Sequence, residues 1–288
     1  MTFKQYHNIH EFYDVTYDTL MRHEAQNLIP LGNLIIGNKG VDKMEWRDPA
    51  NWFMATVSDG DALLLTAIMT PPWSLTLYAT DNAYSDAVLG CLIDGLLAHN
   101  IEVNAVMTEK SLAQDFDALF VQKTGKTSSI AENLRIYELT EVNPDIPTPG
   151  TLRLVQQKDI AYLAYWKEMF LQDCFDTPVA ISSDIAKYQY IIDKQNTYVL
   201  EVNGVPVSCA NINRTMQTCA GVAFVYTPPF FRGNGYASSC VAQLSAFILT
   251  KEFTKCVLYT DLTNPTSNSI YQKIGYKPIA DALQIDFK

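Results

Sequence analysis

The stretch Val225-Tyr226-Thr227-Pro228-Pro229-Phe230-Phe231-Arg232-Gly233-Asn234-Gly235-Tyr236-Ala237 decides how the chain is read. A β-rich run ends at two prolines, and Arg232-Gly233-Asn234-Gly235 leads into an apolar-periodic segment from Tyr236 to Thr250. Gly233 and Gly235 adopt backbone conformations closed to other residues and let the main chain approach a ligand closely. The N–H groups of a helix's first turn have no partner inside the helix. With the helix dipole they form an anion site suited to a pyrophosphate. Arg232 can add charge-assisted hydrogen bonds. The dinucleotide fingerprint Gly-x-Gly-x-x-Gly is absent, and so is the Gly-Lys-Ser/Thr of a P-loop. Taken alone, a glycine pair before a helix also describes a plain strand-to-helix turn.

A second stretch narrows the reading: Leu258-Tyr259-Thr260-Asp261-Leu262-Thr263-Asn264-Pro265-Thr266-Ser267-Asn268-Ser269-Ile270-Tyr271-Gln272-Lys273-Ile274-Gly275-Tyr276. A strand ends in polar residues and a short helix follows. Gly275 is placed as its C-cap. The carboxamides of Asn264 and Asn268 can each donate to and accept from an amide.

Together the two stretches resemble the GNAT superfamily of acyl-CoA N-acyltransferases. The family's pyrophosphate loop reads Gln/Arg-x-x-Gly-x-Gly/Ala, and Arg232, Gly235 and Ala237 fall on those positions. Its later motif has Asn, a small residue, Tyr and then Gly-Phe/Tyr; Asn264, Ser267, Tyr271 and Gly275-Tyr276 match it. The resemblance covers residues 151–288. It implies acetyl-CoA as acyl donor, with no metal. It places the cofactor on Arg232, Gly233, Asn234, Gly235, Tyr236 and Ala237, and also on Asn264 and Asn268. It further implies a strand that splays at a bulge, so that backbone groups of Val225, Tyr226 and Thr227 pair with the pantetheine amides. The Val225 N–H then faces the carbonyl oxygen, and Tyr271 is the general acid for the departing thiolate. Glu201, Asp173 and Asp176 are candidate bases, none of them assigned. A non-catalytic acyl-CoA sensor, or a structural protein with two degenerate domains, are the other readings. Tyr271 in register favours the enzyme.

Working outward, Asn143-Pro144-Asp145-Ile146-Pro147-Thr148-Pro149-Gly150 reads as a linker, because proline lacks a backbone donor and restricts its predecessor to extended conformations. After it, Thr151–Val155 reads as a strand and 158–175 as a helix. Ser182 or Ser183 caps a further helix to Lys194. Asn203-Gly204 joins two strands as a hairpin. Strands at 220–227, 255–261 and 278–287 and a helix at 267–274 complete the second half. The first half has a similar order: a helix at 10–28, strands at 52–57, 62–69 and 74–78, a helix at 84–98, a strand at 102–107, a helix at 112–123 and a strand at 134–139. The expected fold is α+β: two GNAT-like domains in tandem, each a mixed, mostly antiparallel sheet flanked by helices. The expected ranges are 1–142, linker 143–150 and 151–288. In the first domain Asp81 stands where a pyrophosphate would bind, and Val121 stands four before Gly125 where Tyr271 stands four before Gly275. That domain is expected to lack the cofactor site and to pack beside the acceptor.

The composition agrees. The 288 residues are 48% hydrophobic and 18% charged, which excludes a disordered chain. No apolar run approaches the ~20 residues of a membrane span, and the start has no signal pattern, so a cytoplasmic location is expected. The net charge of −10 opposes nucleic acid and anionic lipid and tolerates a cationic substrate. Around 170–190, Asp173, Phe175 and Asp176 suggest a cationic or aromatic amine acceptor. The six cysteines form no CxxC pair, and the four histidines all lie in the first hundred residues. His7 and His10 have helical spacing but read as a solvated helix start rather than a metal site.

Overall fold

The computed structural model describes residues 1–40, 48–80, 84–175 and 185–288. Asp81, Asp176, Ser182 and Ser183 lie outside the described residues, and so does the start of the expected helix to Lys194. The chain divides into two compact units. The first comprises Met1–Ile136, Thr260–Thr263 and Pro278–Lys288; the second comprises Tyr137–Tyr259 and Asn264–Lys277.

In the first unit, β1 (Thr2–Tyr6), β2 (Phe53–Asp59), β3 (Ala62–Met69) and β4 (Leu75–Ala79) pair antiparallel in chain order. The helix α3 (Asp86–Ala98) then crosses to β5 (Ala105–Glu109), which pairs parallel with β4. Apolar side chains of these strands and of α3 and α4 (Lys110–Thr124) build one core, including Leu65, Leu75, Leu92 and Phe116. Two elements differ from the sequence expectation. The polar start forms β1, an edge strand beside β2. The helix expected at 10–28 ends at Met21 as α1 (Ile9–Met21), and a second helix that the sequence reading did not expect, α2 (Leu28–Lys39), follows. Asn8 caps α1 by accepting from the His10 N–H at 2.8 Å. The His10 ring bonds Asn38 at 2.6 Å.

The second unit repeats the order. β7 (Thr151–Leu154), β8 (Thr197–Val202), β9 (Val205–Thr215) and β10 (Cys219–Tyr226) pair antiparallel, and α7 (Tyr236–Leu249) crosses to β11 (Lys255–Asp261), parallel with β10. On one face α7 and α8 (Pro265–Ile274) cover a core of Val222, Val241, Leu244, Leu258, Ile274 and others. On the other face α5 (Ile160–Phe175) and α6 (Gln189–Asp193) cover Val199, Cys209, Phe224 and Tyr226. The start of the unit is pinned by Arg153, which donates to Glu201 at 2.6 Å and to both oxygens of Asp159 at 2.7 and 3.0 Å. Burial would raise the Asp159 carboxyl, but these bonds hold it below its ordinary value.

The units do not divide at 143–150. That segment belongs to the second unit, and the last strand, β12 (Lys277–Phe287), returns to the first. There β12 pairs antiparallel with β5, from Ala282↔Glu109 to Asp286↔Ala105. Leu283, Ile285 and Phe287 enter the first core. Conversely, β6 (Ser128–Leu139) begins in the first unit and ends in the second. Arg135 binds Asp281 at 2.7 Å in the first unit, and Glu138 binds Lys255 at 3.0 Å in the second. Each unit is thus completed by a strand from the other half of the sequence, because alternation alone does not state which edge a terminal strand joins.

Among the described residues no helix is long and apolar enough to cross a membrane. Leu283→Ala should destabilise the first unit by about 2–5 kcal/mol, as for other buried leucines. Hydrogen exchange at Val106 and Met107 of β5 should speed up with it. Unchanged protection there would place β12 outside that core.

Candidate functional site

The site grows from the parting of β10 and β11. These strands pair only at Cys219↔Lys255, Ala220↔Cys256 and Gly221↔Val257. Both continue, but no further residues of the two are in register. On its other edge β10 is shifted: Ala223 faces Asn211 and Tyr226 faces Cys209, so two residues, Phe224 and Val225, stand against one on β9. Phe224 adopts φ +51°, a conformation rare for a bulky residue. The Phe224 ring is buried edge-on against Phe170 of α5 at 5.2 Å. A bulge of this kind bends its strand and increases local twist. Val225 stays half-buried on the opposite side, and Ser208 holds the strand's end by bonding the Tyr226 carbonyl at 3.1 Å and the Thr227 hydroxyl at 2.9 Å.

Pro228 and Pro229 end the strand. The loop that follows is built from its own polar groups. The Asn234 side chain donates to the carbonyls of Phe231 and Arg232, each at 3.2 Å. Gly233 has φ +81° and Gly235, the N-cap of α7, φ +76°. A Cβ at either glycine would meet nothing within 4 Å, so open space lies over the loop. No side chain caps α7; its first-turn donors, beginning at Tyr236 and Ala237, face that end of the helix. Arg232 donates to the Thr227 carbonyl at 2.9 Å and to Asp173 at 2.6 Å, with its guanidinium over the Tyr226 ring. The Tyr226 hydroxyl is buried and has no hydrogen-bond partner among the described residues.

α8 supplies the remaining parts. The Asn264 carboxamide oxygen caps the helix by accepting from the Ser267 N–H at 3.0 Å. Asn268 donates to the Asn264 carbonyl at 2.8 Å and accepts from the Tyr137 hydroxyl at 3.0 Å. Both carboxamides are therefore engaged in the fold, Asn268 through both of its polar atoms, which the sequence does not show. Tyr271 is 7% exposed and packs between Tyr137 and Tyr276, at 6.3 and 6.0 Å. Its hydroxyl has no hydrogen-bond partner among the described residues. Burial, and then Cys174 of α5, push its pKa well above the usual phenol value, so it stays protonated at neutral pH. Gly275 closes α8 at φ +117°, where a Cβ would lie 2.9 Å from the Glu141 carbonyl. The structure thus brings Val225, Tyr226, Thr227 and the loop 232–237 to one end of the parted strands.

Two of the carboxylates named as candidate bases are engaged. Glu201 pairs with Arg153, and Asp173 with Arg232. Sequence reasoning missed Lys167, whose ammonium lies over the Phe224 ring at 4.9 Å. On α5 it reads as one more helix lysine, and only the bulge reveals its position.

At the matching place in the first unit a side chain bridges the strands. β4 and β5 pair at Leu75↔Val106 and Thr76↔Met107, and at the next position the Thr108 hydroxyl donates to the Leu77 carbonyl at 2.7 Å. Gly125 ends α4 as Gly275 ends α8, with its N–H on the Val121 carbonyl, but valine offers no proton.

Residues 163–276 match the acetyltransferase (GNAT) family. No protein of curated function matches the sequence significantly. A GCN5-related N-acetyltransferase from Sphaerobacter thermophilus matches with a TM-score of 0.61 at 12% identity, over 99% of this chain and 95% of that one. A tandem GNAT protein from the clavulanic acid biosynthesis pathway matches at 0.59 and 11% identity, over 100% of this chain and 98% of that one. An acetyltransferase of the GNAT family from Colwellia psychrerythraea matches at 0.56 and 11% identity over 100% of both chains. At these identities the likeness is one of fold. With the loop and the parted strands in place, residues 163–276 form a domain that matches the acetyltransferase (GNAT) family, and the fold of the chain is like that of a tandem GNAT protein.

Proposed function

We propose that the second unit transfers an acetyl group from acetyl-CoA to a primary amine of a small molecule or peptide, and that the first unit binds no acetyl-CoA. The observation that supports this best is the end of strand pairing at Gly221↔Val257, with the bulge at Phe224 and Val225 beside it. An unpaired strand edge inside a sheet needs partners for its amides, and a pantetheine arm has amides to offer. The site fits the cofactor in three further ways: the space over Gly233 and Gly235, the uncapped start of α7 and the unpartnered Tyr226 hydroxyl.

In this reading Arg232 and the first-turn amides of α7 hold the pyrophosphate, and the backbone of Val225, Tyr226 and Thr227 orients the arm. The acceptor nitrogen bonds to the thioester carbonyl carbon while the Val225 N–H stabilises the charge gathering on the oxygen. As the carbon–sulfur bond breaks, Tyr271 passes its proton to the sulfur. The amine's proton leaves to water or to a group not assigned here. Positioning supplies much of the rate. In the first unit, the Thr108–Leu77 bond occupies the position where such an arm would enter. A soluble location is consistent with the composition, and we place the chain in the cytoplasm.

Calorimetry should show one acetyl-CoA per chain; two equivalent sites or none would refute the reading. Arg232→Ala should weaken binding by about 1.5 kcal/mol, near the low end for a bond to a charged group because the side chain is half exposed. Gly235→Ala should cost stability only about 1–2 kcal/mol, from its left-handed backbone. A larger loss in acetyl-CoA affinity than in stability would show that the cofactor lies over the glycine.

Tyr271→Phe keeps the ring packed but removes the proton, so single-turnover acetyl transfer should slow by about 10²–10⁴-fold with little change in acetyl-CoA affinity. Because burial raises the Tyr271 pKa, its protonated form is complete below the ordinary phenol value. The wild-type rate should therefore show no fall from Tyr271 up to about pH 10. A Tyr271→Phe variant as fast as wild type would remove the tyrosine from the mechanism.

A further inference from the structure

Several cations of the second unit are paired with carboxylates. Arg153 has Asp159 and Glu201, Arg232 has Asp173, and Lys255 has Glu138. Lys167 is different. Its ammonium lies 4.9 Å from the centre of the Phe224 ring and 5.2 Å from that of Phe170, and no carboxylate among the described residues pairs with it. Two aromatic faces attract a cation but do not neutralise it.

The groups around it are accounted for. Glu168, next in sequence, accepts from the Tyr188 hydroxyl and lies 3.8 Å from Lys187. The Cys209 thiol is fully buried and held neutral by that burial. Burial lowers the Lys167 pKa although Cys209, Cys174 and Glu168 each favour its charge. A cation in such surroundings gains more from an anionic partner than one in water does. Asp173, the acid expected to attract a cationic acceptor, is already paired with Arg232.

Resting on the acetyl-transfer reading above, we propose that Lys167 pairs with a carboxylate of the acceptor, so that the acceptor belongs to the class of amino acids rather than simple amines. The placement suits this. Phe224 immediately precedes Val225, whose N–H faces the thioester oxygen in that reading, and an α-amino acid carries its amine and carboxylate on one carbon. Lys167 would fix the carboxylate over the Phe224 ring while the amine reaches the carbonyl carbon. Lys167 is then a specificity-determining residue, with no part in holding acetyl-CoA.

The test uses the full chain with matched pairs, L-phenylalanine against 2-phenylethylamine and L-lysine against cadaverine, and reads thiol released from acetyl-CoA. The wild type should favour the carboxylated member by about 10–100-fold in kcat/KM, mostly through KM. Lys167→Met should erase that preference, Lys167→Arg should retain most of it, and acetyl-CoA affinity should hold in both variants. Preference for the decarboxylated member would overturn the proposal. So would equal slowing of both members by Lys167→Met, or by Lys167→Arg, which would mark a proton acceptor. Calorimetry on CoA-saturated protein gives a second readout. Acetyl-CoA binding without any heat or turnover from either carboxylated amine would overturn this proposal alone. Absence of acetyl-CoA binding would overturn the acetyl-transfer reading beneath it.

Discussion

A strand inside a sheet must satisfy backbone donors and acceptors along both edges, and β10 is paired with β11 only as far as Gly221. Past that point the bulge at Phe224 and Val225 turns the strand from its parallel neighbour while β9 keeps hold of the other edge. The left-handed Phe224 backbone costs of order 1–3 kcal/mol. It persists because its ring is buried against α5. Helix packing on one face of the sheet thus keeps open a line of polar groups at its edge. The prolines, the glycine loop and the start of α7 follow at the end of that line.

The first unit treats the same topology differently. Its β4 and β5 also part after a short parallel stretch, but the Thr108 hydroxyl bridges the gap to the Leu77 carbonyl. One side chain there answers the need that a ligand would answer in the second unit. The two closing helices end alike, with a left-handed glycine at Gly125 and Gly275, yet the residue four before it is Val121 in one and Tyr271 in the other. The strand order and the closing glycine are common to both units, and the residues beside them differ.

Much of this was legible because local chemistry fixes it. The Asn203-Gly204 hairpin, the loop into α7 and the cap at Gly275 depend on residues beside one another in sequence, and each formed where expected. What could not be read depends on distant partners. β1 is a polar edge strand whose only signal is that β2 has a free side. α1 ends at Met21 and α2 begins at Leu28, and between them Asn27 is buried and donates to the Leu20 carbonyl at 2.9 Å. The return of β12 to β5 is a choice between two available edges, and the alternation of 277–287 suits either. Asn264 and Asn268 read as open amides because their partners, a helix N–H and Tyr137, are set by the fold.

Charge at the site follows the same division. Arg232 is visible in the motif, but its pairing with Asp173 is not, and that pairing alters what the acids near 173 can attract. In the proposed function a pyrophosphate at the loop would compete with Asp173 for the guanidinium, which would link cofactor binding to the end of α5 through one ion pair. Lys167 sits two turns earlier on the same helix, over the ring that holds the bulge. Among the described residues, α5 therefore carries a cation that no carboxylate pairs with and an anion already matched. In a low-dielectric setting the unmatched charge selects partners more strongly than a net charge of −10 spread over the surface, which salt screens within about 10 Å. The overall acidity of the chain is thus a poor guide to its acceptor, and the local balance at Phe224 a better one.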